Sequence, residues 1–283
     1  MRVHHLNCAT LCPPLGRLLG GPGGAAPGRG TLICHCLLIE TGRDGLVLVD
    51  TGIGLDDCRD PSRLGRMFGA MCGPRFDPSE TARRQIEAMG YSAADVQHVI
   101  VTHLDLDHAG GLPDFPHASV HVMAAEQRAA SAPPTLPERQ RYRAAHFAHD
   151  PRWVLHEAAG EPWRGFPCVR SLPGLPPEIL LVPLVGHTRG HAAVAVELAS
   201  GWVVHAGDAY FHRSTPRPSE GSMPPALALF ERAVALDWRG VLENQRRLRA
   251  LAAEAEAGLT LFCAHDPVEF ERARAAGASR PGE

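Results

Sequence analysis

The chain has 283 residues, of which 45% are hydrophobic and 21% charged, a composition typical of a globular protein with a sizeable core. Its net charge is −3 and it contains no lysine, so it offers no broad basic face and a nucleic acid partner is excluded. The sequence has no apolar run long enough to cross a membrane and no signal-peptide pattern, and its eight cysteines form no C-x-x-C pair. We therefore expect a cytoplasmic protein with free thiols and no membrane contact.

The first fifth of the chain predicts a strand, a loop and a hairpin. A short strand around residues 2–6 precedes a Pro/Gly-rich segment, 12–30, which is interpreted as an irregular loop near the mouth of a site. Apolar runs at 31–40 and 46–51 are joined by Thr-Gly-Arg-Asp-Gly, which predicts a hairpin. Asp50 leaves the second run directly into Thr-Gly. Within the first run, two cysteines that flank His35 are interpreted as a buried, unreactive pair.

A dense group of polar residues follows the next predicted strand. A helix over 77–89 leads to the apolar run 99–101, and Thr-His-Leu-Asp-Leu-Asp-His-Ala-Gly-Gly comes after it. The loop holds four potential metal ligands within six residues: His103, Asp105, Asp107 and His108. Imidazoles and carboxylates at this density are the donors that a divalent metal takes, and the two glycines let the backbone turn tightly beneath them.

The middle of the chain predicts a covering element. A strand over 118–123 and a helix over 124–130 precede residues 131–166, which are rich in proline, arginine and aromatic residues. We expect this segment to be a lid or insertion that caps the pocket and determines substrate choice. Its histidines, such as His146 and His149, are interpreted as surface or lid residues and not as ligands.

Three more strand ends carry polar residues. The run 179–185 ends in Gly-His187-Thr-Arg-Gly-His191, and a hairpin over 192–206 ends in Gly-Asp208, with Tyr210 two residues later. A second covering loop is predicted over 213–225, followed by two helices over 226–236 and 241–257. The last strand, 259–263, leads to His265.

These motifs together resemble the metallo-β-lactamase superfamily. The His103 to His108 loop is similar to its HxHxDH loop, although Asp105 stands where most members carry the second histidine. The Asp-Thr-Gly, Gly-His-Thr-x-Gly-His, Gly-Asp and final histidine motifs follow in the family order, from Asp50 to His265. The resemblance implies an α/β fold, the αββα sandwich of two mixed sheets flanked by helices, in a single domain over 1–283.

The resemblance also implies a binuclear metal site. One ion would be held by His103, Asp105 and His187, and the other by Asp107, His108 and His265, with Asp208 between them. Asp50 and His191 would support the ligands from behind. Zinc is the first choice for both divalent ions, and manganese or iron is the alternative because a carboxylate at 105 makes the first site harder.

The predicted activity is hydrolysis of a small ester, lactone or thioester by a metal-activated hydroxide. Asp107 would guide the proton to the leaving group, and Tyr210 would be an auxiliary donor to the substrate carbonyl. Two alternatives remain open. One is a di-iron oxidoreductase with a separate electron donor, because flavodiiron members also use a carboxylate at position 105. The other is a non-catalytic ligand-binding protein on the same scaffold.

Overall fold

The computed structural model describes residues 1–14, 16, 28–42, 45–254 and 258–278. Within them the chain forms two six-stranded sheets. The first sheet has the order β1 (Arg2–Leu11), β2 (Leu32–Glu40), β3 (Leu46–Val49), β4 (Val96–Ile100), β5 (Ser119–Met123) and β6 (Arg152–His156). The pairs β1/β2 and β2/β3 are antiparallel, and the other three neighbouring pairs are parallel.

The second sheet is formed by the last six strands, which also follow one another in chain order from one edge to the other. Its strands are β12 (Leu259–Phe262), β11 (Gly201–His205), β10 (Ala192–Leu198), β9 (Ile179–Pro183), β8 (Phe166–Ser171) and β7 (Glu161–Trp163). Only the β11/β12 pair is parallel among these described strands. The sheet therefore brings the ends of β9, β11 and β12, which come from distant parts of the chain, into one layer.

The helices are short in the first half of the chain and longer in the second. They are α1 (Leu55–Arg59), α2 (Arg66–Cys72), α3 (Ala82–Ala88), α4 (Leu106–Ala109), α5 (Ala124–Ser131), α6 (Leu136–Arg141), α7 (Pro225–Val234), α8 (Trp238–Ala253) and α9 (Pro267–Ala278). No helix among the described residues is long and apolar enough to cross a membrane.

The central strands of both sheets are buried on two faces, which gives four layers. In β2, Leu37 and Ile39 pack towards the second sheet, in the cluster that holds Val194 and Val196. Their neighbours Cys36 and Leu38 face the other way, with Ile86 of α3. A strand that is covered on both faces has a nearly continuous apolar sequence, and β2 shows this pattern. The αββα sandwich implied by the sequence is confirmed.

The two sheets are joined by backbone hydrogen bonds at one edge. The Ala192 N–H donates to the carbonyl of Thr102 at 2.9 Å, and the His35 N–H donates to the carbonyl of Ala264 at 2.9 Å. Each bond links a strand of one sheet to the loop that follows a strand of the other. These bonds hold the predicted ligand loops of both sheets against each other.

Two predicted segments differ from the structure. Only the first part of 131–166 is an insertion, because residues 152–166 supply β6 and β7, which are edge strands of the two sheets, and the start of β8 beside β7. The predicted helix over 77–89 is a 3-10 turn, Pro78–Glu80, followed by α3, since Thr81 caps a new helix with its side chain. Residues 15 and 17–27 of the predicted Pro/Gly-rich loop, and 255–257 after α8, lie outside the described residues.

Candidate metal centre

All seven predicted ligand residues meet where the two sheets join. Donor atoms of His103, Asp105, His187 and Asp208 lie within 4.8 Å of one another, and so do those of His108, Asp208 and His265. The loops after β4, β9, β11 and β12 each contribute at least one of these residues. Asp208 belongs to both groups, which we call the first and the second ligand group.

Asp208 lies between the two groups, and Nε2 of His265 is within 3.3 Å of both of its oxygen atoms. Its Oδ2 lies 3.4 Å from Nε2 of His187 and 3.8 Å from Nε2 of His103. Its Oδ1 lies 3.1 Å from Nε2 of His265 and 3.3 Å from Nε2 of His108. A carboxylate in this position can give one oxygen to each of two metal ions.

Asp105 and Asp107 lie on the more exposed side of the cluster. Asp105 Oδ2 is 3.1 Å from Nε2 of His187 and 3.3 Å from Nε2 of His103, in the first ligand group. Asp107 Oδ2 is 3.8 Å from Nε2 of His265, in the second. The side chains of Asp105 and Asp107 are 14% and 11% exposed, whereas those of His103 and His108 are 0% and 2% exposed. These two carboxylates are therefore the parts of the cluster nearest to solvent.

Three of the four imidazoles are turned by a hydrogen bond on the ring atom that faces away from the cluster. The Nδ1–H of His103 donates to Thr102 Oγ1 at 3.0 Å, and that of His265 donates to the Ile33 carbonyl at 2.7 Å. The Nδ1–H of His108 donates to Asp50 Oδ2 at 2.8 Å. Each bond keeps Nδ1 as a donor and turns Nε2 towards the cluster, where it could bind a metal ion.

The cluster is strongly coupled in charge. Burial alone would raise the pKa of Asp208, but His265, His108 and His187 outweigh it and hold that pKa well below the usual range. Burial would lower the pKa of His108, but the carboxylates of Asp208 and Asp50 outweigh it and hold that pKa well above its usual value. Burial and the charge of Arg141 lower the pKa of His187 to about 4. Asp208 is therefore ionised at neutral pH, as a metal ligand must be.

The donor set fits a divalent metal on a second count. Nε2 of His103 and of His108, Oδ1 of Asp105 and Oδ1 of Asp208 are all buried and make no hydrogen bond. Buried polar atoms without a partner are costly and need an explanation such as an unseen ion. Nitrogen and carboxylate oxygen donors at this spacing suit zinc, manganese or iron.

Asp50 supports the cluster from behind, as the resemblance implied. Its Oδ1 accepts the backbone N–H of Thr102 at 2.7 Å, and its Oδ2 accepts Thr102 Oγ1–H at 2.8 Å and the His108 ring. The residue is fully buried and has a positive φ of 56°, a conformation that aspartate tolerates better than most residues. One side chain thus holds the start of the loop and one of its histidines.

His191 supports Asp208 rather than the cluster directly. Its Nδ1–H donates to the Leu184 carbonyl at 3.1 Å, and its Nε2 accepts the backbone N–H of Asp208 at 2.9 Å. Gly207 is needed beside it, because its φ is +53° and a Cβ there would lie 2.6 Å from Nε2 of His191. The turn at Gly207 and Asp208 therefore packs closely against the His191 imidazole.

Glu126 is a buried carboxylate that sequence reasoning missed. It lies on α5 and accepts the backbone N–H of Leu104 at 3.0 Å and that of Gly190 at 2.9 Å. Leu104 is in the loop of His103, and Gly190 is in the loop of His187. The hydroxyl of Tyr142 donates to the same carboxylate at 3.1 Å. Glu126 therefore holds the two ligand loops together, and no motif signals it.

Arg141 is the second missed residue, at the C-terminal end of α6. Its Nη1 lies 3.0 Å from Asp105 Oδ2 and 3.0 Å from Nε2 of His187. Its Nη2 donates to the carbonyl of Val234 at the end of α7. The only sequence signal was its position in the arginine-rich part of the predicted lid.

Tyr210 does not reach the cluster, which corrects the prediction that it serves as a donor to substrate. Its hydroxyl is fully buried and lies 3.2 Å from both carboxylate oxygens of Glu269 on α9, in a core cluster with Leu248 of α8. The next residue, Phe211, faces the site instead. Its ring centroid is 5.9 Å from that of His187 and 5.3 Å from that of His265.

Cys34 has a different setting from the one expected. It is 2% exposed, and its Sγ lies within 4.8 Å of donor atoms of Asp107 and His265. Burial, with the charge of Asp107 as the next cause, raises the pKa of this thiol well above its usual value. The cysteine is buried as predicted, but it borders the second ligand group.

A sandwich of two mixed sheets with helices on both outer faces, and a buried His/Asp cluster at their shared edge, is the architecture of a metal-binding αββα protein. The chain belongs to the metallo-beta-lactamase superfamily, whose family model matches residues 29–255. A probable metallo-hydrolase of Mycobacterium tuberculosis (strain H37Rv) is 44% identical over 274 residues, which are 97% of this chain and 83% of the relative.

Proteins named as lactonases are more distant. An N-acyl homoserine lactonase of a Bacillus species is 26% identical over 239 residues, 84% of this chain and 82% of that protein. A solved N-acyl homoserine lactone hydrolase, with the product N-hexanoyl-L-homoserine bound at its catalytic metal centre, superposes with a TM-score of 0.69. It is 18% identical and covers 96% of this chain and 95% of its own, so this likeness concerns the fold.

Proposed function

We propose that this chain is a binuclear metallo-hydrolase of a small ester, lactone or thioester. The observation that carries the proposal is the position of Asp208, whose carboxylate lies between the two groups, 3.4 Å from Nε2 of His187 and 3.1 Å from Nε2 of His265. The relatives named as a metallo-hydrolase and as lactonases support the reaction class. We further propose that residues 1–283 form one domain, because a single apolar cluster joins strands of both sheets.

The ligand residues assigned to the first ion are His103, Asp105, His187 and Asp208, and those assigned to the second are Asp107, His108, His265 and Asp208. Zinc is the first choice for both, with manganese or iron as the alternative. Such ions supply a polarised substrate carbonyl and a water molecule acidic enough to be deprotonated at neutral pH.

The chain's own groups would position the substrate and move one proton. Asp107 lies on the exposed side of the cluster, and we assign its carboxylate the role of taking up a proton and passing it to the leaving-group oxygen, nitrogen or sulfur. Phe211 and Phe230, whose ring centroids are 5.9 Å apart, form an apolar wall beside His187 and His265. That wall suits an acyl group and keeps water away from one side of the reacting carbonyl.

The eight cysteines are free thiols in the structure. Free thiols are stable in a reducing compartment, so a cytoplasmic location is part of the proposal.

The test combines metal analysis with a substrate panel. Protein purified without added metal should contain about two divalent ions per chain by elemental analysis, and it should hydrolyse at least one member of a panel of lactones, esters and thioesters. Asp208→Ala should abolish hydrolysis and reduce the metal content, whereas Asp56→Ala, a change at an exposed carboxylate of α1, should do neither. Full turnover by Asp208→Ala would overturn the mechanism.

Asp105 favours one second candidate, a di-iron oxidoreductase that takes electrons from a separate donor protein. A second carboxylate in the first ligand group makes it a harder site, which suits iron better than an all-histidine group does. Two iron ions per chain, together with oxygen consumption in the presence of a reductant and no hydrolysis across the panel, would support this candidate over the first.

A further inference from the structure

The first ligand group contains an unusual pair of opposite charges. The guanidinium of Arg141 lies 3.0 Å from Asp105, and the two side chains are 11% and 14% exposed. Both charges are therefore mostly removed from water. An isolated charge in such a place is costly, and an ion pair removes much of that cost.

We propose that Arg141 is a positioning residue that compensates the negative charge of Asp105, so that the pair presents a divalent ion with the net charge of a neutral histidine. This inference rests on the proposed metal centre. It assigns to Arg141 a role that neither the sequence motifs nor the fold indicates.

The chain holds the guanidinium in place by contacts that do not depend on Asp105. Nη2 donates to the Val234 carbonyl, and Nη1 lies 3.4 Å from the carbonyl of His187. Both acceptors are backbone atoms, so a substitution at position 105 leaves them where they are. The positive charge would then stay beside the cluster without its partner.

The helix that carries Arg141 is itself anchored to the loop of His187. Glu138 on α6 accepts from Arg189 Nε at 2.6 Å, and Arg189 is two residues after the ligand His187. Thr135 caps the start of the helix by accepting the Glu138 N–H. The position of Arg141 is therefore fixed relative to the first ligand group.

Charge compensation predicts that the two single substitutions shift metal affinity in opposite directions and that the double variant lies close to the wild type. Asp105→His leaves Arg141 as an unpaired cation beside the ligands, so divalent metal should bind more weakly, on the order of tenfold or more. Arg141→Gln leaves an additional anion, so metal should bind at least as tightly as in the wild type, while the metal-free protein becomes less stable. In the double variant both charges are absent, and metal affinity should return to within a few-fold of the wild-type value.

The experiment measures the dissociation constants of Zn²⁺ and Mn²⁺ by chelator competition for the wild type, both single variants and the double variant. Thermal unfolding of the metal-free proteins accompanies it. Arg139→Gln is the matched control, because Arg139 lies exposed on the same helix, and it should change neither readout. A double variant that binds metal as weakly as Asp105→His alone would overturn the proposal, as would an Arg141→Gln variant that binds metal more weakly than the wild type, or an Arg139→Gln effect of the same size.

A second pair of variants covers the case in which histidine does not fit at position 105. Asp105→Asn keeps the shape of the side chain and removes only its charge, and it is combined with Arg141→Gln in the same cycle. If the folded wild type binds neither metal, the proposed function fails together with this inference. If it binds metal and Arg141→Gln does not raise metal affinity in the Asp105→Asn background, the proposed function stands and only the role of Arg141 is overturned.

Discussion

Nδ1 of His108 lies 2.8 Å from Oδ2 of Asp50, and both side chains are fully buried. The bond joins the end of β3 to the ligand loop after β4. Because Nδ1 bonds to Asp50, Nε2 is the ring nitrogen that faces Asp208. Asp50 therefore sets the orientation of the His108 ring through Nδ1, the nitrogen that faces away from the ligand groups.

Asp50→Ala should weaken metal binding. The substitution removes the acceptor for His108 Nδ1–H and both contacts to Thr102, so the ring and the loop lose their orientation. Loss of such a supporting partner typically costs about 10- to 100-fold in metal affinity. Chelator competition measures it, and Asp56→Ala serves as the control because that side chain is 49% exposed. A metal affinity equal to the wild type would show that the ligand loop is held by other contacts.

Glu126→Gln should affect both ligand loops at once. The amide keeps the size of the side chain but has one acceptor oxygen, so either the Leu104 N–H or the Gly190 N–H loses its partner. A buried donor left without an acceptor costs about 1–3 kcal/mol. We expect a loss of that size in the free energy of unfolding, measured in urea, together with weaker metal binding.

The control for Glu126 is Glu157→Gln, an exposed carboxylate that pairs with Arg128. It should change the free energy of unfolding by less than about 0.5 kcal/mol. If Glu126→Gln lowers stability but leaves metal affinity unchanged, Glu126 supports the fold and does not align the two loops.

Tyr210→Phe should leave hydrolysis almost unchanged. The hydroxyl contacts Glu269 in the core and not the ligand groups, so its removal should lower the free energy of unfolding by about 0.5–1.5 kcal/mol while kcat stays within about twofold. Phe211→Ala, at the residue whose ring lies against His187 and His265, should instead raise KM. A loss of kcat on the order of a hundredfold in Tyr210→Phe would restore the tyrosine as a donor to substrate.

The ligand positions could be predicted from sequence because each follows an apolar run that is buried on both faces. The run before Asp50 and the run before His103 form neighbouring parallel strands, β3 and β4, and parallel neighbours end at the same edge of a sheet. Short-range patterns therefore placed Asp50 and the loop of His103 together. The order of the family motifs then predicted that the loops of the second sheet, which carry His187, Asp208 and His265, join the same site.

Glu126 and Arg141 could not be predicted, since their contacts join segments far apart in the chain. Glu126 bonds to Gly190, 64 residues away, and Arg141 contacts His187, 46 residues away. No local period or spacing encodes such pairs. Tyr210 was misplaced for a more local reason: it follows Asp208 in an irregular loop, where alternation along a strand no longer predicts which side chain faces the site.

Stability should fall as pH rises from about 5 to about 7 because of Glu269. Burial raises the pKa of its carboxyl from 4.5 to about 7, with the nearby Asp266 acting in the same direction, and the Cys263 N–H, Arg217 and Tyr210 acting against it. The folded chain then binds a proton that the unfolded chain has already released, so the free energy of unfolding decreases through this range and levels off above it.

Glu269→Gln removes this titration and should flatten that fall by roughly 2–3 kcal/mol between pH 5 and pH 8. Urea unfolding of both proteins at the two pH values, in the same excess of chelator, gives the difference. Glu271→Gln, an exposed neighbour on α9, should leave the pH dependence as it is. Glu231 carries a second carboxyl whose pKa burial raises to about 7, so part of the fall should persist. An unchanged pH dependence in Glu269→Gln would mean that this carboxyl is ionised in the folded protein throughout the range, with Arg217 as its partner.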